Sequence, residues 1–398
     1  MPRSPAASLA TAVGAAFAPG GPLSLAVPEY EPRPGQRAMA EAVGGTIERG
    51  GTLLAEAGTG TGKTLAYLVP GILSRRRVLV STGTKTLQEQ IYEKDLPDLR
   101  AALGIPFTAV CMKGRANYLC LHRFDLFRES PLSMALLEPE VVDRLAAWGR
   151  ETETGDRAEL EDLPEDFPAW NQLSASTENC LGPSCPRHGD CFVTRMRQRA
   201  AESDLVVVNH HLLCADGSVR QDAAAGVIPD CDVAVIDEAH QLEDVATQYF
   251  GVAVSTFRVE ELARDAERLC DPGVAGVAAM LEDLRRALFR LRDRAARFFE
   301  AIPPGRRAPR GGGADERLRL APDSLCEAHA AGVALGEALE AVQAAIVPRQ
   351  DVPEDLRAIG RRAGELRDDL AFLIRVGDPD FVYYLETRGR GVALRASP

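Results

Sequence analysis

A glycine-rich segment near the start of the chain has the composition of a phosphate-binding loop. Its residues are Ala57, Gly58, Thr59, Gly60, Thr61, Gly62, Lys63 and Thr64. The segment lies between a predicted strand and a predicted helix, which is the context that the Walker A motif requires. Glycines let main-chain N–H groups turn toward phosphate oxygens. Lys63 is therefore predicted to contact the β- and γ-phosphates of ATP, and the Thr64 hydroxyl to bind Mg²⁺. Ala57 stands where the strict motif has glycine.

Two adjacent acids follow an apolar segment farther along the chain. Residues 233–236 lead into Asp237-Glu238-Ala239-His240, which is a DEAH box, typical of helicases. A strand that ends in two acids is the Walker B arrangement, in which Asp237 binds Mg²⁺ and Glu238 orients and polarises the attacking water. Lys63, Asp237 and Glu238 are thus the predicted catalytic residues of an ATP hydrolase. The Leu-Ser-Gly-Gly-Gln signature of transporter ATPases does not occur in the sequence.

Four cysteines lie between the two nucleotide motifs, at positions that suit a metal centre. They are Cys120, Cys180, Cys185 and Cys191, and the last three follow a C-x₄-C-x₅-C spacing. Four thiolates suit either Zn²⁺ or an iron–sulfur cluster. Zinc sites favour paired C-x₂-C turns, so the spacing favours a cluster and leaves zinc open. The chain has nine cysteines and no convincing export signal, which argues against a disulfide framework.

Alternating strand and helix patterns are predicted to position these motifs. Strands are predicted at residues 52–55, 78–80, 205–208 and 233–236, and helices at about 35–49, at 63–73 and from 85 onward. This alternation predicts an α/β fold with a parallel sheet. Residues 105–200 interrupt it and are predicted to form a small inserted domain. From about 255 to 375, apolar residues recur at intervals of three and four, which predicts packed helices, and 381–385 is predicted to be one more strand.

The composition is that of a soluble globular protein, with 45% hydrophobic and 26% charged residues. No stretch approaches the ~20 apolar residues of a membrane span, so a cytoplasmic protein without membrane contact is predicted. The net charge of −12 argues weakly against nucleic-acid binding. A motor can nevertheless bind DNA in a basic groove and stay acidic elsewhere. Basic residues gather at Lys113, Arg115, His122, Arg123, Arg187, Arg195, Arg197 and Arg199.

Together the motifs resemble the DinG/YoaA/XPD family of iron–sulfur superfamily 2 DNA helicases, especially its bacterial YoaA branch. The resemblance covers residues 15–255 closely. It rests on the phosphate loop, the four cysteines, the DEAH box and the segments 28–33, 113–120, 179–182 and 208–213. It implies a RecA-like motor domain of residues 1–104 and 200–255. It also implies an iron–sulfur domain at 105–199, a helical arch-like domain at 256–375 and a return strand to the motor domain within 376–398.

The resemblance also implies cofactors, partners and residue roles. It implies a 4Fe–4S cluster on the four cysteines. It further implies ATP-driven 5′→3′ unwinding of single-strand-tailed or forked duplex DNA by a monomer, with replication or repair proteins as possible partners. Arg33 and Gln36 are assigned to adenine, on whose ring Tyr30 could stack. The residues assigned to DNA are Thr82, Thr84, Gln88, Lys113, Arg115, Asn209 and His210.

Members of that family continue into a second motor domain that supplies arginines to the transition state. Its motifs are not found in this sequence, so the chain is predicted to stop before that domain and to hydrolyse little ATP by itself. Two other interpretations stay open. One is a DNA-binding iron–sulfur ATP switch without unwinding activity, and the other is a non-helicase P-loop enzyme with a zinc ribbon.

Overall fold

The computed structural model describes residues 8–26, 31–164, 167, 169–222, 226–270, 278–302, 316–346, 352–389 and 391–398. Tyr30, the predicted stacking residue, lies outside these ranges. The chain divides into two compact units. The first unit comprises residues 1–114 and 193–249, and the second comprises residues 115–192 and 250–398.

Helices form the larger part of the regular structure. The helices are α1 (Leu9–Ala16), α2 (Pro22–Ala26), α3 (Pro34–Arg49), α4 (Lys63–Ser74), α5 (Lys85–Gln90), α6 (Leu96–Leu103), α7 (Leu121–Glu129), α8 (Pro131–Met134), α9 (Pro139–Glu151), α10 (Trp170–Leu173), α11 (Phe192–Glu202), α12 (His210–Asp222), α13 (Leu242–Tyr249), α14 (Thr256–Arg268), α15 (Ala278–Ala301), α16 (Cys326–Ile346) and α17 (Glu354–Arg375). The strands are β1 (Val78–Thr82), β2 (Ala109–Cys111), β3 (Leu205–Asn209), β4 (Val233–Ile236), β5 (Val252–Ser255), β6 (Glu316–Arg319), β7 (Val382–Arg388) and β8 (Gly391–Ser397).

The first unit is built on a parallel sheet with the strand order β2-β3-β1-β4. Val78 of β1 is in register with Leu205 of β3 on one side and with Val233 of β4 on the other. Every residue of β1 and β3 is buried, as expected for central strands of a parallel sheet covered on both faces. The predicted parallel α/β sheet is confirmed, together with the predicted strands at β1, β3 and β4 and the helices α3, α4 and α5.

The predicted strand at residues 52–55 is wrong. The chain is irregular from Gly51 to the phosphate loop, and no strand of the described part of the chain pairs with it. The Leu54 side chain is 94% exposed. An apolar run forms a strand only where a neighbouring strand hydrogen-bonds to its main chain, and periodicity cannot reveal whether that neighbour is present.

The second unit contains the segment with the four cysteines, the long helices and an antiparallel sheet. The helices α14 to α17 confirm the predicted helical character of residues 255–375 in its described parts. Their apolar stripes form one core with buried side chains such as Leu284, Leu291 and Leu366. The short strand β6, which lies between α15 and α16, was not predicted.

The tail of the chain forms a β-hairpin within the second unit. The strand β7 confirms the strand predicted at 381–385, and β8 pairs with it antiparallel. The sheet order is β5-β8-β7-β6, so the tail lies in the antiparallel sheet, and its role as a return strand to the motor domain stays a prediction. The buried side chains of Tyr383, Leu385 and Leu394 add the hairpin to the core of the long helices. None of the helices described has the length and apolar character needed to cross a bilayer.

Candidate nucleotide site and cysteine group

The glycine-rich loop has the backbone geometry of an anion site. Gly60 and Gly62 have φ angles of +77° and +80°, a region that favours glycine. The main-chain N–H and the hydroxyl of Thr61 both donate to the Gly58 carbonyl, at 3.4 and 2.8 Å, and close a tight turn. Helix α4 begins at Lys63, directly after this turn. The free N–H groups of its first turn and the helix dipole therefore favour a phosphate at the loop.

The two acids of the DEAH box follow β4 in a strained turn. The Asp237 N–H donates to the Ser81 carbonyl of β1 at 2.8 Å, which continues the pairing of the two strands. Glu238 has a φ of +50°, in the left-handed region that non-glycine residues avoid. Its N–H donates to Asp237 Oδ1 at 3.1 Å. Such a conformation costs about 1–3 kcal/mol, which the surrounding contacts must offset.

The structure brings the loop and the acids together. Lys63 Nζ lies 2.9 Å from Glu238 Oε1 and also donates to the Ala57 carbonyl at 3.4 Å. The Tyr67 hydroxyl donates to Asp237 Oδ2 at 3.2 Å. Tyr67 also lies one turn after Thr64 on α4, so this phenol contacts one predicted magnesium ligand and shares a helix with the other.

Burial shifts the ionisation of Asp237 and Tyr67 in this site. Burial raises the pKa of Asp237, and the neighbouring Glu238 carboxylate acts in the same direction, while Tyr67 and Lys63 partly oppose them. Burial also raises the pKa of Tyr67, so its phenol remains a hydrogen-bond donor. A raised carboxyl pKa means that the neighbouring groups do not fully stabilise the buried negative charge of the carboxylate. A bound cation would stabilise that charge.

The residues predicted for adenine contact the loop. The Gln36 amide donates to the Gly62 carbonyl at 3.0 Å, and Arg33 donates to the Gly60 carbonyl. Gln36 is buried, while Arg33 is exposed and also lies 3.6 Å from Glu31. Both side chains thus brace the phosphate loop, and their predicted contacts with adenine stay a prediction. Thr59 is exposed at the tip of the loop.

Two residues predicted for the DNA site are buried supports of the sheet. Gln88 is fully buried, and its amide donates to the carbonyls of Met112 and Val207 at 2.7 and 3.0 Å. His210 is fully buried, and its Nδ1 lies 2.7 Å from Ser81 Oγ. The predicted contact of Gln88 with the DNA backbone and the predicted position of His210 near the DNA strand stay predictions.

The other predicted DNA residues differ in exposure. Asn209 is buried and accepts from the Leu212 N–H at 2.8 Å, at the start of α12. Thr82 is also buried. Lys113 is 4% exposed, and its ammonium lies 2.6 Å from Glu89. Only two remain accessible. Thr84 is exposed and caps α5 through the Leu87 N–H, and Arg115 is half-buried.

Replacing Gln88 by alanine is expected to lower stability rather than DNA affinity. Two buried carbonyls would lose their donor, at a cost of about 1–3 kcal/mol. Thermal unfolding and single-stranded DNA binding by fluorescence anisotropy would be measured on the same preparations. Gln90→Ala, on an exposed position of the same helix, is the matched control and should change neither quantity. Weaker DNA binding by Gln88→Ala with an unchanged melting temperature would support the predicted contact with DNA.

The four predicted cluster cysteines lie near one another in the second unit. Cys120 directly precedes α7, and the other three flank two 3₁₀ turns at 182–184 and 188–190. Burial raises the pKa of Cys120 to about 11, and the nearby Cys185 and Cys180 thiols act in the same direction. Burial likewise raises the pKa of Cys185, with Cys180 and Cys191 contributing. All four thiols are free of disulfides.

The chemistry of these donors fits a thiolate-bound cluster. Cys120 accepts a hydrogen bond from the Arg123 N–H, and Cys185 accepts one from the Arg187 N–H, which are contacts that stabilise ligating thiolates. Among the described residues, no three Cys, His, Asp or Glu side chains converge as ligands of a single metal ion do. In a 4Fe–4S cluster each thiolate binds a different iron, so its four ligands stand farther apart than those of one zinc ion.

Sequence reasoning missed Tyr67 and Ser81, which touch the site residues. Tyr67 follows Thr64 by three positions on α4, so both lie on one helix face, and that spacing was a usable signal. Ser81 is one of two buried polar residues, with Thr82, at the end of a strand that begins with three apolar residues. Its partner, His210, is 129 positions away, so no local pattern could have paired them.

A phosphate loop at a helix start, facing two acids at the end of a parallel strand, defines the nucleotide site of P-loop ATPases. Residues 33–121 match the DEAD/DEAH box helicase family. More particularly, the chain is similar in sequence to the YoaA and DinG helicases.

Three relatives document this similarity. The ATP-dependent DNA helicase YoaA of Escherichia coli (strain K12) is 43% identical over 251 residues, which are 63% of this chain and 39% of that protein. YoaA of Haemophilus influenzae is 41% identical over 250 residues, with the same shares. The ATP-dependent helicase DinG of Mycobacterium tuberculosis (strain ATCC 25177 / H37Ra) is 38% identical over 267 residues, 61% of this chain and 39% of that protein. The similarity thus spans about two fifths of the length of these relatives.

Proposed function

We propose that this chain carries the ATP-binding and DNA-binding machinery of an ATP-dependent DNA helicase that unwinds DNA in the 5′→3′ direction. The ion pair between Lys63 and Glu238, formed across the phosphate loop at 2.9 Å, is the observation that supports this most directly. The predicted phosphate-binding lysine and the predicted water-activating carboxylate are therefore in direct contact. The helicase names of the relatives and the resemblance to iron–sulfur helicases support DNA as the second substrate.

The proposed ATPase step uses the groups that surround the loop. The N–H groups of the loop and of the first turn of α4 bind the phosphates. Lys63 exchanges its Glu238 partner for the γ-phosphate. The freed Glu238 carboxylate then accepts a proton from the water that attacks the γ-phosphorus, while the bond to the β–γ bridging oxygen breaks and ADP leaves. Thr64 and Asp237 would hold Mg²⁺, which neutralises charge on the phosphate oxygens when bound.

We further propose that Cys120, Cys180, Cys185 and Cys191 hold a 4Fe–4S cluster with a structural role. The segment around them contains short 3₁₀ turns and little regular structure, so metal binding would supply folding energy that packing does not. Ion pairs also anchor the segment. Arg187 lies 3.4 Å from Asp125 of α7, and Glu178 lies 2.8 Å from Arg258 of α14.

Replacing Cys185 by serine is expected to remove most of the bound iron and to leave ATP binding unchanged. The thiol belongs to the second unit, whereas the phosphate loop belongs to the first. Iron and acid-labile sulfide would be measured on anaerobically purified protein, with ATP binding by calorimetry. Cys326→Ser, at an exposed cysteine of α16, is the control and should retain iron. Zinc in place of iron would contradict the cluster, and a parallel loss of ATP binding would contradict the independence of the two sites.

The helicase proposal is tested with three DNA substrates. Duplexes with a 5′ single-stranded tail, with a 3′ tail and without a tail would be offered to the 398-residue protein, and binding, ATP turnover and strand separation would be followed. Preference for the 5′ tail together with DNA-stimulated turnover supports the proposal. DNA binding that responds to ATP without strand separation would favour the switch interpretation. ATP binding without any DNA response would overturn the DNA role. We expect a cytoplasmic monomer that acts beside replication or repair proteins.

A further inference from the structure

One buried phenol contacts a residue that would hold magnesium. Tyr67 lies on α4 and is 3% exposed. Its hydroxyl donates to Asp237, which follows β4, and Thr64 lies one turn earlier on the same helix. We propose that Tyr67 is a positioning residue for the magnesium site, which orients Asp237 through its hydroxyl. This inference rests on the proposed ATPase function.

The direction of the hydrogen bonds follows from the groups available. A carboxylate can only accept, so the single phenol proton of Tyr67 is donated to Asp237 Oδ2 at 3.2 Å. Tyr67 therefore supplies Asp237 with a donor from α4, the helix whose first turn carries Thr64.

Asp237 is oriented from two sides. Its Oδ2 accepts from Tyr67, and its Oδ1 accepts from the Glu238 N–H at 3.1 Å. These two donors lie on different elements, so the carboxylate plane is held at a defined angle. Without the phenol, the Glu238 N–H would be the one hydrogen-bond donor left to this carboxylate among the described residues, and its orientation would be less fixed.

Partners of this kind set ligand orientation and metal affinity. Loss of such a contact typically weakens metal binding about 10–100-fold. The interior position of Tyr67 makes the contact effective, because a buried hydrogen bond has no water to replace it. We expect the lower end of that range here, because the ligands themselves stay in place.

The test is the magnesium dependence of nucleotide binding in Tyr67→Phe. A fluorescent, non-hydrolysable ATP analogue would be titrated into the 398-residue protein in EDTA and across a series of Mg²⁺ concentrations. The Mg²⁺ concentration that gives half of the affinity gain is expected to rise about 10-fold, with little change of affinity in EDTA. Tyr92→Phe makes the same chemical change at a partly exposed tyrosine of the first unit and should match the parent protein.

Each outcome separates the possibilities. An unchanged Mg²⁺ dependence in Tyr67→Phe would overturn the positioning role. Equal losses of affinity with and without Mg²⁺, together with a lower melting temperature, would show a purely structural residue and would overturn it too. A parent protein that does not bind the analogue at all would overturn the proposed ATPase function, and this inference with it. If the parent protein binds the analogue normally, a changed Mg²⁺ dependence in Tyr67→Phe reports on Tyr67 alone.

Discussion

Replacing Lys63 by alanine is expected to weaken ATP binding roughly 100-fold, whereas Glu238→Gln should strengthen it and abolish hydrolysis. Charge-assisted hydrogen bonds contribute about 1.5–3 kcal/mol each, and ~1.4 kcal/mol corresponds to tenfold in affinity. Glu238 competes with the phosphates for the same ammonium group at 2.9 Å. Because both side chains are about one-quarter exposed, the pair itself contributes at most about 1 kcal/mol, so its removal should improve affinity about fivefold.

The pair of variants would be compared by calorimetry and by phosphate release with single-stranded DNA present. Lys94→Ala, at an exposed lysine beyond α5, controls for a general loss of positive charge. Weaker ATP binding by Glu238→Gln would show that the carboxylate supports the nucleotide and does not compete with it. Unchanged binding by Lys63→Ala would remove the lysine from the phosphate site.

Asp265→Ala is expected to destabilise the second unit by about 3–5 kcal/mol, the usual cost of removing one partner from a buried ion pair. Asp265 is 7% exposed and accepts from Arg362 at 2.8 Å and from Arg123 through two contacts of 3.3 Å. Arg268 lies 3.5 Å away. The substitution would leave Arg362, itself 3% exposed, without its closest counter-charge.

The same cluster has a defined pH dependence. Burial opposes ionisation of Asp265, but Arg123 and Arg362 outweigh it and lower its pKa. A lowered pKa in the folded state stabilises the protein above the unfolded pKa of about 3.9, and this stability is lost as the pH falls below that value. Asp265→Ala should therefore flatten the acid limb of a plot of melting temperature against pH.

Thermal unfolding followed by circular dichroism would measure both effects. Asp283→Ala is the matched control, because Asp283 pairs with Arg286 at 2.6 Å while both side chains are more than half exposed. Exposed pairs contribute about 0–1 kcal/mol, so this variant should unfold close to the parent temperature. Equal decreases of melting temperature in Asp265→Ala and Asp283→Ala would mean that burial does not make the ion pairs of Asp265 more stabilising than an exposed pair.

These charge pairs join regions that the sequence separates widely. Arg123 lies three residues after Cys120, whereas Asp265 and Arg362 lie on α14 and α17. His122 lies 2.7 Å from Asp355 at the start of α17. The helix after Cys120 therefore packs with the long helices in one compact unit. The sequence predicted an iron–sulfur domain at 105–199 and a separate arch-like domain at 256–375, and that boundary stays a prediction.

The sequence by itself determined the parts of this protein whose physics is local. The phosphate loop needs glycines with positive φ before a helix start, and the acids need the end of a buried strand, so spacing alone located both. Continuous apolar runs located β1 and β3, which are buried on both faces, and apolar residues at intervals of three and four located the long helices, which bury one face. Number and position also singled out the four cysteines, whose role as cluster ligands stays a prediction.

Only the tertiary structure decided where side chains and strand edges find their partners. Gln88 is an internal support because carbonyls from two other segments lie beside it, and residues 52–55 are not a strand because no neighbour pairs with them. Tyr67 meets Asp237 across 170 positions of sequence, and Asp265 meets Arg123 across 142. Such contacts depend on how distant segments pack in three dimensions, so the spacing of residues along the sequence cannot predict them.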